Sequence, residues 1–158
     1  DKNDEYPILK NGIGMKLKLD NGDLEADFFG DSRLLGIVAP LKGYRFCWQL
    51  NRQMRLDFRI TNQIEIQLAK KNRDYFFTVY ECMEPNKTLI HYLYNNQFDG
   101  EFLLPEFRHL DFFWLMKGDE VSDELMDELT ESIRSISGVQ LVTELTQTKI
   151  KHREHLIF

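Results

Sequence analysis

Asp74-Tyr75-Phe76-Phe77-Thr78-Val79-Tyr80-Glu81-Cys82-Met83, then Glu84-Pro85-Asn86-Lys87, then Thr88-Leu89-Ile90-His91-Tyr92-Leu93-Tyr94-Asn95 is the stretch that decides the fold. Both flanks are rich in aromatic and β-branched residues, which suit a pleated, half-buried surface. Between them, Pro85 presets φ for the first corner of a tight turn, and Asn86 tolerates the left-handed backbone of the second. The pattern predicts an antiparallel hairpin. Its second strand is apolar on both sides, with Ile90, Tyr92 and Tyr94 on one and Leu89 and Leu93 on the other. Such a strand belongs inside a sheet with both faces covered.

Working outward, Leu34 to Val38 is a continuous apolar run stopped by Pro40, read as a buried strand. From Gly43 to Met54 the period changes to the helical one. Tyr44, Phe46, Cys47, Trp48, Leu50 and Met54 spread over more than half the circumference, predicting a helix buried on most sides. Ile64, Ile66 and Leu68 alternate as a strand, and Leu110 to Met116 reads as another. Ser122 is a fitting N-cap, with Asp123 and Glu124 in the first turn where carboxylates suit the helix dipole. Val121, Leu125, Leu129, Ile133 and Ile136 follow at helical spacing up to Gly138, and Val139 to Leu145 reads as a last strand. Met15 to Leu19 alternates like a strand and ends at Asp20-Asn21-Gly22, residues 23–32 stay unassigned, and residues 1–14 read as a flexible extension. The expected fold is α+β: one domain over 15–158, a single-layer, mostly antiparallel sheet of about six to seven strands with two helices packed on it.

Composition bounds the rest. The chain has 158 residues, enough for one self-sufficient core, and 42% of them are hydrophobic, which excludes general disorder. Lys plus Arg number 20 against 26 Asp plus Glu, a net charge of −6 that argues against nonspecific binding to nucleic acid or anionic membrane. Cys47 and Cys82 each lie in apolar runs outside any CxxC, so they read as reduced, buried thiols in a cytoplasmic protein. No apolar run approaches the ~20 residues of a membrane span.

Chemistry-bearing side chains crowd together once, in Leu104-Pro105-Glu106-Phe107-Arg108-His109-Leu110-Asp111-Phe112. Pro105 bends the chain and pushes Leu104 into extended geometry. Two readings stand. In one, Glu106 and Asp111 are a carboxylate pair with His109 as proton carrier, the three lining with Arg108 an enzyme or small-ligand cleft. In the other they clamp a turn, a buried acid paired to an Arg or to backbone N–H groups, and the absence of a nucleophile or metal signature favours this one. The motif resembles the string that names the IPExxxVDY family of small bacterial proteins. Pro105, Glu106 and Asp111 match it, with Leu104, Leu110 and Phe112 in place of its Ile, Val and Tyr. Tyr44-Arg45-Phe46-Cys47-Trp48-Gln49-Leu50-Asn51 looks like the family's helix, and Met15 resembles its start site. The resemblance spans residues 15–158 and implies no activity, since that family is named by a spelling.

Other chemistry has little support. His91, His109, His152 and His155 include only one close pair, His152-x-x-His155, and zinc signatures such as CxxC or HExxH are missing, so no metal or cofactor is expected. No serine sits in a GxSxG elbow, and no phosphate loop occurs. Arg73-Asp74-Tyr75-Phe76-Phe77-Thr78-Val79-Tyr80 imitates an RNA-recognition strand but lacks its glycine, so no nucleic-acid partner is expected. A non-catalytic domain working through protein contact or homo-oligomerisation is the expectation that remains. Phe76, Tyr80, Tyr92, Tyr94, Phe107 and Phe112 exceed what a small core hides, and the first five are the interface candidates. The apolar end Leu156-Ile157-Phe158 is expected to dock, since burying each large side chain is worth ~1.5–3 kcal/mol.

Overall fold

The computed structural model describes residues 17–158. Two compact units divide the chain after Gly30. The first contributes helix α1, Leu17–Phe29. Leu17 to Leu19 therefore belong to a helix, not to the strand read from their alternation. Leu24 and Phe28 recur at i, i+4, and five alternating residues are too few to outweigh that interval. Met15, Lys16 and the extension over 1–14 lie outside the described residues. The sheet-bearing unit spans Asp31–Phe158.

That unit carries β1 (Arg33–Val38), α2 (Gly43–Met54), β2 (Arg59–Ile60), β3 (Ile66–Lys70), β4 (Arg73–Phe77), β5 (Val79–Met83) and β6 (Ile90–Asn95). After these come β7 (Gln97–Phe98), β8 (Glu101–Phe102), β9 (Phe112–Lys117), α3 (Asp123–Arg134) and β10 (Leu141–Glu144). Six strands form one antiparallel sheet in the order β10-β1-β9-β6-β5-β2, so the α+β architecture is the one expected. The hairpin strands β6 and β5 stand fourth and fifth in that order, both with a neighbour on each side. Val79 faces Tyr94 and Met83 faces Ile90, while the Lys87 N–H donates to the Glu84 carbonyl at 3.2 Å across a turn with Asn86 at φ 62°. The run from Asp74 to Met83 is two strands, not one. It changes partners at Thr78: β4 pairs with β3 in a separate two-stranded sheet, joined through Lys71 and Asn72 at φ 55° and 61°. Two successive left-handed residues make the hairpin turn whose twist matches its strands.

Register assigns the faces. Leu35, Trp114, Leu93 and Tyr80 form a row across four strands. Phe46, Cys47 and Leu50 of α2 and Met126 and Ile133 of α3 pack into the same cluster, so both helices cover this face. Ser122 caps α3 as expected, accepting from the Leu125 N–H at 3.1 Å. Helix α2 is buried on one side only, contrary to the reading of its apolar count: Tyr44 is 66% and Trp48 59% exposed. Gly36, Phe113, Tyr94 and Val79 form the opposite row. Leu110 and Leu145 close over Gly36, where a Cβ would stand only 2.6 Å from the Leu110 side chain. The C-terminal end docks on this face as expected, with Leu156 fully buried, its carbonyl accepting from the Tyr94 hydroxyl at 2.8 Å, and the Phe158 ring 4.8 Å from that of Tyr92.

Candidate functional site

The proline motif is built around a residue that the sequence does not advertise. Asn96, fully buried just past β6, accepts from the Leu104 N–H at 2.9 Å through its side-chain oxygen. Its amide nitrogen donates to the carbonyls of Phe107 at 3.0 Å and Leu110 at 2.8 Å. These bonds hold the single 3₁₀ turn Pro105–Phe107 between Leu103 and Leu110, which are buried. Loops buried this way need their backbone groups satisfied, and Asn96 does it. A polar pair, Asn95-Asn96, ending an apolar strand was the available signal.

Around that hub the four chemistry-bearing residues part company. The Glu106 carboxylate accepts from the His152 N–H at 2.8 Å and meets its ring Nδ1 at 3.0 Å, tying the turn to the C-terminal segment. Burial pushes this carboxyl up, but the His152 ring, its own N–H and the His152 N–H outweigh burial and leave it below the usual value. Asp111 accepts from the Ala39 N–H at 2.7 Å while its own N–H donates to Ile37 at 2.8 Å, extending the β1–β9 ladder past its last pair. Arg108 lies over the Phe102 ring at 5.2 Å, and His109 is exposed beside Phe107. Among the described residues no hydrogen bond or ion pair joins any two of these four. Both acids serve backbone N–H groups, which is the clamp geometry. Replacing Asp111 by Ala strands the Ala39 N–H and is expected to cost on the order of 1–3 kcal/mol. Thermal unfolding checks this, and an unchanged midpoint would remove the clamp.

His152 and His155, the one close histidine pair, stack at 4.9 Å, but their rings go to different partners, Glu106 and the Leu103 carbonyl. Among the described residues no group of three or more His, Cys, Asp or Glu is placed to hold a metal ion. Burial pushes the Cys47 thiol up to about 12, far from thiolate chemistry.

A second polar constellation lies on the helix-covered face. The Trp114 indole N–H donates to His91 Nδ1 at 3.0 Å, and His91 Nε2 meets Glu84 at 3.2 Å. Indole only donates, so Nδ1 must accept and the imidazole proton sits on Nε2, pointing at the carboxylate. Both ring nitrogens are engaged, which leaves none for substrate. Burial holds His91 below its ordinary 6.5, against the upward pull of Glu84 and with a small downward push from Lys87. A histidine depressed in the fold adds stability above 6.5 that drains away as pH falls through its lower folded value. Glu84, Glu106 and Glu144, depressed from 4.5, lose theirs only below that. Unfolding midpoints are therefore expected to begin falling as pH drops below 6.5, and His91→Phe should remove the part of the fall that starts there while the carboxylate part stays.

Beside His91 opens a cavity of about 380 Å³. Leu56, Leu89, Met116 and Leu129 line it with apolar surface, and Glu84, Asp119 and Glu120 stand among its polar walls. Leu125, 41% exposed on α3, also lines it. A wider cleft of about 670 Å³ adjoins Asp111 and is walled by Lys42, Tyr44, Tyr80, Asn95 and Gln97. Asn95 Oδ1 is buried there without a protein partner.

The interface candidates divide. Tyr80, Tyr92 and Tyr94 are buried, at 7%, 6% and 0% exposure, and so cannot form a surface; the domain covers both faces of its central strands. Phe112 is buried too, Phe107 packs edge-on toward Phe113, and Phe76 remains at the surface. The most exposed aromatics among the described residues are Tyr44 and Trp48 of α2, ahead of Phe76, Phe98 and Phe158, with the Arg52 guanidinium 5.2 Å above the Trp48 ring. Among the described residues no helix is long and apolar enough to cross a membrane. No family model and no curated protein matches the sequence.

Proposed function

We propose that this is a non-catalytic cytoplasmic domain of the IPExxxVDY-like kind that acts through protein contact, with self-association as its testable form. The supporting observation is the outward face of α2. Tyr44, Trp48 and Arg52 recur there at i, i+4, i+8, a desolvation-ready aromatic and guanidinium stripe of the type that anchors interfaces. The residues that would have carried catalysis, Glu106 and Asp111, are bonded to backbone N–H groups. Light scattering of the full chain is expected to give a mass that rises above one chain between about 1 and 100 micromolar. A single-chain mass throughout would overturn the reading. The cleft of about 670 Å³ beside Asp111, with Lys42 and Gln97 in its walls, favours the second reading, a small polar ligand.

A further inference from the structure

Charge is distributed unevenly over the helical layer. Helix α2 and its flanks carry Lys42, Arg45, Arg52 and Arg55, all exposed, and no carboxylate occurs between Lys42 and Leu56. Helix α3 shows the reverse, with Asp123, Glu124, Asp127, Glu128 and Glu131 exposed and its one base, Arg134, paired to Glu131 at 3.3 Å. In a chain of net charge −6, the basic-aromatic stripe of α2 and the acidic face of α3 are opposite in charge. At the foot of that acidic helix lies the 380 Å³ cavity, with Leu56, Leu89, Met116 and Leu129 within; of its charged walls, Lys87 is paired to Glu84 at 3.3 Å, which leaves Asp119 and Glu120 as its acidic rim.

We infer that the cavity between α3 and the Glu84–Leu89 turn receives Trp48 of a second copy of this chain, with Arg52 of that copy reaching the Asp119/Glu120 rim. The inference rests on the self-association proposed above and names its two surfaces. An indole is the right kind of occupant, because the cavity offers leucine and methionine methyls to its ring, and burying an aromatic is the largest single gain an interface makes. Arg52 already lies over the Trp48 ring, so the guanidinium would arrive with it and meet carboxylates instead of water. The partners are unlike surfaces of one chain. Two copies related by a two-fold axis would therefore make the contact twice.

Sedimentation velocity of the full chain tests the pairing with exposed residues only, so folding is not at stake. Trp48→Ala is expected to weaken association by about a hundredfold, and Arg52→Glu or Glu120→Lys alone by about tenfold. Mixing Arg52→Glu chains with Glu120→Lys chains should restore it, since the mixed pair replaces two repulsions by attractions. Association should also fall with rising salt. If the parent associates but the charge variants behave like it, or the mixture stays dissociated, this pairing is wrong while self-association stands. A parent that never leaves the single-chain mass sinks both.

Discussion

Asn96→Ala is expected to lower the unfolding midpoint more than any other single polar truncation in the domain. The change removes the acceptor of the Leu104 N–H and the donor to the Phe107 and Leu110 carbonyls, in a place with no exposure to water. Each buried group left without a partner costs about 1–3 kcal/mol, and relaxation of the loop keeps the sum below three full penalties. A loss on the order of 3–5 kcal/mol follows, roughly 10 °C or more at this chain length. Asn96→Asp should be no milder. Its carboxylate still accepts from Leu104, yet turns a second oxygen toward two carbonyls. Circular dichroism on heating would read both, and a midpoint within about 1 °C of the parent would show that the loop holds itself.

Gly118→Ala is the second large loss. Gly118 ends β9 at φ 97°, a left-handed conformation that side chains rarely adopt, and a Cβ there would lie 2.4 Å from the Thr88 carbonyl oxygen. The three nearest atoms, two of Thr88 and one of Ile90, are all backbone, so nothing flexible can move aside. The conformational strain alone is of order 1–3 kcal/mol, and the collision adds to it. Gly100→Ala separates the two contributions: Gly100 sits at φ 85° with nothing within 4 Å of the would-be Cβ. Its substitution should cost only the strain. Equal midpoint losses for the two variants would mean the Thr88 contact yields.

What could be read in advance was what local chemistry dictates. Pro85 and Asn86 spelled their turn, and the helical interval spelled both ends of α2. An apolar count cannot say what covers a helix, so it does not reveal that Tyr44 and Trp48 of α2 face outward. Asp74 to Met83 looked like one strand because nothing local marks Thr78 as the place where pairing changes. The proline motif stood out, yet its organiser, Asn96, did not, since its partners lie up to fourteen residues downstream and only the folded loop brings them to it. Likewise the bond from Trp114 to His91 depends on the register between β6 and β9, which no stretch of either strand reveals.

The strand order has a consequence in time. β5 and β6 are joined by a short turn and can zip within microseconds, as isolated hairpins do. β1 has no such neighbour: its partners are β9 and β10, and beside its pairing with β10 the Leu34 N–H donates to the Thr146 hydroxyl, 112 residues away in sequence. Closing loops of that length is an entropic cost met before any contact rewards it. Until β1 arrives, Phe46 and Trp114 lack the neighbours Leu35 and Ile37, and the floor under both helices stays open. Rate and stability are thus divided along the chain. Changes in the hairpin should slow folding, whereas changes in β1 should chiefly hasten unfolding.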